Sequence, residues 1–183
     1  MNLTAELVDE HGHIKQMLNV LEAASARLEA GNKVDPAHLG RMVDFIRLFA
    51  DKCHHGKEED LLFPAMEAAG IPRQGGPIGV MLSEHTLGRS YVKGMAEAAA
   101  GCKSGHKGAA LSFAENARGY AALLRRHIDK EDNVLYPMAE ARIPQSRQRE
   151  LLASFEKVES DIIGRGRHDE LLATLEELSR TYL

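Results

Sequence analysis

The sequence predicts an all-α protein: an up-down-up-down antiparallel four-helix bundle with a C-terminal two-helix extension. Three observations carry this. Aromatic residues make up only 5% of the 183 residues and tryptophan is missing, so residues that favour strands are scarce. Long segments rich in Ala, Leu, Glu, Lys and Arg, which are strong helix formers, lie between Gly- and Pro-containing breaks near 31–36, 70–77, 101–108, 143–144 and 164–166. In four of these segments apolar residues recur at steps of three and four, and short connections favour antiparallel neighbours.

The first helix is expected to start at Thr4 as N-cap, with a buried stripe of Leu3, Leu7, His11, Ile14, Leu18, Leu21, Ser25 and Leu28. Asp35 followed by Pro36 is an N-cap with proline at the first helical position. The stripe behind it is Leu39, Val43, Ile46, Ala50, His54, Glu58 and Leu61. The third carries Ile78, Leu82, His85, Arg89, Val92, Met95 and Ala99, and the fourth Phe113, Ala117, Tyr120, Leu124, His127, Glu131 and Val134. Every stripe holds a histidine at about the same height. Pro64 and Pro137 follow at matching places, where each is expected to bend or end its helix. Residues 1–144 form the bundle domain on this reading. Residues 145–183 form the extension, with stripes Leu152, Phe155, Val158, Ile162 and Leu171, Leu175, Leu178, Tyr182 that either cap the bundle or make a homodimer contact.

Charge and composition narrow the partners. The formal charge is −4 and basic residues alternate with acids, which speaks against nucleic acid or an anionic membrane surface. The start lacks a signal-peptide pattern and no apolar run reaches bilayer-spanning length, so a soluble cytoplasmic protein is expected. Cys53 and Cys102 are too few for a disulfide framework and are not spaced as a thiolate metal site; Cys53 is a small buried filler on this reading.

An internal duplication selects the chemistry. "HHGKEEDLLFPAMEAAGIP" from residue 54 overlays "HIDKEDNVLYPMAEARIP" from residue 127, pairing His54 with His127 and Glu58 with Glu131, while "LVDEHGHIK" from residue 7 overlays "MLSEHTLGR" from residue 81, pairing Glu10 with Glu84, His11 with His85 and Lys15 with Arg89. His55 falls opposite Ile128, so it is expected behind the ligands or at the surface. Lys57 and Lys130, which adjoin glutamates, are expected outside. The repeated unit is one histidine, a long gap, then His-x-x-x-Glu, a spacing that sets both side chains on one helix face. The candidate metal ligands are His11, His54, Glu58, His85, His127 and Glu131. Burying two carboxylates among four imidazoles would cost several kcal/mol per uncompensated ion, and bound cations remove that cost. Six donors are too many for one ion with open positions. Shared by two, they supply two imidazoles each and two bridging glutamates, a donor set that suits iron, with zinc or manganese as alternative occupants.

At these motifs, "EH", "HHGKEEDLLFP", "SEH" and "HIDKEDNVLYP", the chain resembles the hemerythrin-like family, also called the HHE cation-binding domain, over roughly residues 3–144. The resemblance implies two Fe ions with an oxo or hydroxo bridge, held by those six residues. Oxygen carriers of the family have a fifth histidine where this chain has Arg89, and a terminal Asp five residues after His where it has Glu131 four after His127. That departure argues against simple reversible oxygen carriage. The set looks more like that of repair-of-iron-centres proteins and bacterial relatives linked to peroxide and nitric oxide stress, without the cysteine-bearing N-terminal segment of the former.

The function implied is a non-haem di-iron protein that binds or reacts with O2, NO or H2O2, in oxidative or nitrosative stress or iron handling. As an enzyme it would be catalase-like or NO-reducing. The alternative is a metal-stabilised sensor or interaction module without catalysis. A ferritin-like oxidase needs a Glu-x-x-His pair on two helices; Glu10 and His13 fit once, but Glu84 is followed by Leu87. A bundle whose histidines only hydrogen-bond is the structural alternative. Arg89 and Lys15 either pair with glutamates or place a cation near the pocket, and Tyr120 either packs or hydrogen-bonds a ligand.

Overall fold

The computed structural model describes residues 2–158 and 164–183. Among them there is helix and no strand. Helix α1 (Ala5–Glu29) ends where Gly31 takes a left-handed φ of 76°. Helix α2 (Pro36–Phe45) starts at Asp35, whose side chain accepts from the Ala37 amide at 2.9 Å, and runs on through two π-helical stretches, π1 (Ile46–His55) and π2 (Glu58–Leu62), into α3 (Phe63–Ala68). Helix α4 (Pro77–Lys103) follows, then α5 (Ala109–Lys130), which continues through π3 (Glu131–Leu135) into α6 (Tyr136–Arg142). Helices α7 (Gln145–Val158) and α8 (Arg165–Tyr182) complete the chain. No helix among the described residues is long and apolar enough to cross a membrane.

The long helices pack side by side. Helices α1 and α5 run antiparallel, with rungs Glu29–Arg118, Glu22–Arg125 and Lys15–Asp132. Helices α4 and α5 do likewise, and at Gly119 the packing is tight enough that a β-carbon would stand 2.5 Å from the Tyr91 ring. The α2 run packs on α4 and, through π1, on α1. Helix α8 lies on α1 and α2, burying Leu171, Leu175, Leu178 and Tyr182 in the chain's own core, tied by Arg41 to Glu177 and by His38 to the Tyr182 hydroxyl. Helix α7 packs on π2 with Leu151 and Phe155 buried, while Leu152 and Val158 are half-buried. Ile162, assigned to the same stripe, lies outside the described residues.

The α1 stripe is buried at every expected position, from Leu3 to Leu28. Thr4 stands at the start of α1 but caps nothing; its hydroxyl donates to Glu140 at 2.7 Å, anchoring the N-terminus to α6. The α2 and α5 stripes shift at their ends. Leu61 is half-buried and Val134 is 52% exposed, while Leu62 and Leu135 are fully inside. A π turn takes more residues than an α turn, so steps of four and five replace steps of three and four. Pro64 and Pro137 consequently sit inside helical runs that reach Ala68 and Arg142. The wider turn ahead of each relieves the clash between its ring and the carbonyl one turn back. Leu62→Ala or Leu135→Ala is expected to cost about 2–5 kcal/mol in denaturant unfolding, and Val134→Ala to stay within about 0.5 kcal/mol.

Two apolar clusters result. One, from Ile14 and Ala50 to Leu28 and Phe113, fills the body of the bundle with α8 against it; the other gathers Leu3, Leu7, Leu62, Met81, Leu135 and Phe155 at the opposite end. Between them lies a layer of buried polar side chains.

Candidate metal centre

The six residues selected by the repeat meet in that layer. His11, His54, Glu58, His85, His127 and Glu131 are each 0–2% exposed. The histidines come as two pairs: His11 and His54 bring their Nε2 atoms to 3.0 Å, and His85 and His127 do the same. Glu131 spans both, with Oε2 3.3 Å from His11 Nε2 and Oε1 2.9 Å from His127 Nε2. Glu58 places Oε2 3.5 Å from His85 Nε2 and 3.9 Å from His54 Nε2. Each glutamate therefore lies between the two histidine pairs, as a carboxylate must to be shared by two ions.

A ring of carboxylates holds the imidazoles from behind. His11 Nδ1 faces Asp132 and His85 Nδ1 faces Glu59, both at 2.6 Å; His54 Nδ1 faces Glu10 and His127 Nδ1 faces Glu84, both at 2.9 Å. All four rings thus present Nε2 inward with a tautomer set by the acid behind, the arrangement that supports ligating histidines. Cations hold these acids in turn. Lys57 donates to Glu10 at 2.8 Å and also contacts Glu6; Lys130 contacts Glu84; Lys15 donates to Asp132 at 3.0 Å; Arg89 donates to Glu59 and Asp51 at 2.8 Å. Arg89 and Lys15 are thus salt-bridged anchors pointing away from the interior. Eight carboxyl groups, Glu6, Glu10, Asp51, Glu58, Glu59, Glu84, Glu131 and Asp132, surround the layer against these four fixed cations. The excess is anionic and favours added positive charge.

Without ions the layer is under electrostatic tension. Two ring nitrogens 3.0 Å apart need a proton between them. Burial opposes that proton on His11, but Asp132 and Glu131 outweigh it and raise the His11 pKa, whereas burial and then His11 itself lower that of His54. Burial and the nearby Glu131 push the Glu58 carboxyl well above the usual range. Burial acts the same way on Glu131, but His127 and His11 hold it well below. Glu58 Oε2 is buried without a hydrogen-bond partner, and the two equally buried oxygens of Glu131 face only the Nε2 atoms of His127 and His11. Orphaned buried acceptors cost about 1–3 kcal/mol each, and here they line the space that the Nε2 atoms also face. Imidazole nitrogens bind such metals at about 2.0–2.1 Å, so two on adjacent octahedral positions stand about 3.0 Å apart. The donors fit a pair of cations. His55, Glu58, His85 and His127 form one group able to hold an ion, and His11, His54 and Glu131 a second.

The profile of the hemerythrin HHE cation binding domain matches residues 2–139. The chain belongs to this family. Among curated relatives, uncharacterized proteins of Mycobacterium tuberculosis and Mycobacterium bovis are each 25% identical to it over 154 residues, covering 84% of this chain. The chain spans about 60% of the length of these relatives. No solved structure matches it.

Three residues of this hemerythrin domain stand close to the six donors: His55, expected behind the ligands or at the surface, Lys57, expected outside, and Tyr136, for which the spacing gave no expectation. His55 is buried, 4% exposed, with Nε2 turned inward and unpartnered. Burial, then the adjacent His85 ring, lowers its pKa to about 3, so it is neutral. Lys57 is fully buried, whereas its counterpart Lys130 has 38% of its side chain exposed. The difference arises because Glu6 lies over Lys57, while the matching position near Lys130 is Val80. Lys57→Ala, which leaves the buried Glu10 without its lysine and with only His54 Nδ1 and the Cys53 thiol against it, is expected to cost about 3–5 kcal/mol. Lys130→Ala is expected to cost about 0–1 kcal/mol in the same denaturation experiment.

Tyr136 is the third. Its hydroxyl donates to Glu58 Oε1 at 2.8 Å and lies 3.4 Å from His11 Nε2, while its ring stacks on His11. The repeat sets Tyr136 opposite Phe63, a difference of one hydroxyl visible in the sequence. Tyr120 instead packs in the body cluster, against Gly88. Cys53 is buried, 3.8 Å from Glu10, and His13 stacks edge-on against Phe49.

Proposed function

We propose that this hemerythrin-family chain is a two-metal protein that binds or reacts with a small ligand such as O2, NO or H2O2, with iron as its metal. On this reading residues 1–144 are an up-down-up-down four-helix bundle and residues 145–183 a two-helix extension. His11 and His54 would hold one ion, His85 and His127 the other, and Glu58 and Glu131 would serve both. The observation that carries the reading is the set of three buried carboxylate oxygens that meet nothing but inward imidazole nitrogens, placed between two pairs of them. Iron is favoured over structural zinc by mixed imidazole and carboxylate donors without thiolate.

A bound iron pair supplies electrons and open positions to a small ligand. The chain's own residues do the rest. The carboxylates behind the rings hold each Nε2 toward the interior, the apolar clusters above and below exclude water, and Tyr136 keeps a proton on its oxygen beside Glu58. Burial and the neighbouring Glu58 raise the Tyr136 pKa well above the ordinary phenol value, so it remains a donor.

Metal analysis of protein from iron-supplied cells, with absorption spectra before and after hydrogen peroxide and nitric oxide, tests the proposal. Near-stoichiometric iron at two per chain, with bands that respond to one of these ligands, is the expected result. A full complement of zinc with no response would move the function to a metal-stabilised structural module.

A further inference from the structure

His55 is a buried polar residue for which the six-donor set leaves no role. Its ring lies flat on His85, with centroids 3.8 Å apart and planes 15° from parallel. The two rings share a polarity. His55 Nδ1 faces Asp51 at 3.4 Å and His85 Nδ1 faces Glu59 at 2.6 Å, and Arg89 joins these two carboxylates. Both Nδ1 atoms therefore point to the Arg89 side and both Nε2 atoms inward.

Rings that ligate one ion converge on it from different directions. Parallel rings of the same polarity do not converge, so His55 addresses the space beside the position that His85 addresses. An Nδ1–H turned to Asp51 leaves Nε2 as a bare acceptor, and that atom has no partner among the described residues. The other half has no such group, because the repeat puts buried Ile128 at the matching place.

We propose that His55 Nε2 accepts a hydrogen bond from a small protonated ligand, of the class of water or hydrogen peroxide, seated at the His85–His127 half of the centre. The inference rests on the two-metal reading and adds to it an unequal pair of positions. His55 is then a ligand-positioning residue and not a metal donor. An acceptor nitrogen favours ligands that carry a proton over bare anions such as azide.

Zinc-loaded wild-type protein with isotope-labelled histidine gives the first arm. The His55 Nε2 resonance is expected to be that of an unprotonated, metal-free nitrogen, while His11, His54, His85 and His127 show metal-bound Nε2. The second arm uses iron-loaded His55→Leu and His55→Gln. His55→Leu should keep the wild-type iron content, bind hydrogen peroxide about tenfold more weakly, the size of one lost hydrogen bond, and leave azide binding unchanged. His55→Gln, whose amide oxygen also accepts, should recover part of the peroxide affinity. A metal-bound His55 resonance, iron lost from His55→Leu, or peroxide bound as tightly as in wild type each overturns the proposal while leaving the two-metal reading standing. A wild-type chain that takes up neither zinc nor iron overturns both.

Discussion

Alanine in place of His54 or His127 lowers metal content and melting temperature together, and the loss of stability disappears when the comparison is made in strong chelator. Each histidine supplies one nitrogen of an inward pair, so its removal leaves one imidazole to hold an ion. Binding to the folded state alone adds about 4 kcal/mol when metal is at a thousandfold its Kd. For a chain of this size that corresponds to about 8–16 °C in melting temperature. Calorimetry of wild type and variants, with and without chelator, checks this. Chelated wild type should melt close to the chelated variants. Variants that lose as much stability in chelator as in metal would show that the imidazoles stabilise the layer by packing and hydrogen bonding alone.

The second result concerns Glu58→Gln and has opposite signs in the two states. With metal present the variant should hold fewer ions and melt lower than wild type, because a neutral amide replaces a shared carboxylate. Stripped of metal it should equal or exceed stripped wild type by about 1–3 kcal/mol. Burial and Glu131 disfavour the Glu58 charge, and Oε2 has no partner, whereas a glutamine oxygen still accepts from Tyr136. Denaturant unfolding in chelator measures the difference. A stripped variant clearly weaker than stripped wild type would contradict the view that this carboxylate is strained until cations arrive.

The π stretches connect the fold to the centre. His54 ends in π1, Glu58 opens π2 and Glu131 opens π3. The stretches bring Leu62 with Phe63, and Leu135 with Tyr136, onto the interior face. The position of Tyr136 over His11 follows from this change of period. Periodic reading at 3.6 residues per turn placed Leu61 and Val134 inside instead, and was off by one residue at corresponding places in the two halves of the repeat.

The sequence by itself determined the helical class, the buried stripes of the four bundle helices apart from Leu61, Leu82, Arg89 and Val134, which it set too deep, and the register that brings His11, His54, Glu58, His85, His127 and Glu131 to one height. It could do so because helical spacing and internal duplication are local or self-referential signals. Only the tertiary structure decided what surrounds those six. Lys57 is buried because Glu6 and Glu10 reach it from α1, Arg89 turns outward because Asp51 and Glu59 meet it from the neighbouring run, and His55 turns inward as Asp51 takes its other nitrogen. Each of these placements depends on a charge or ring supplied by another turn or another helix, and on how far a π turn has rotated the backbone. Neither quantity is written in the spacing of residues along one segment.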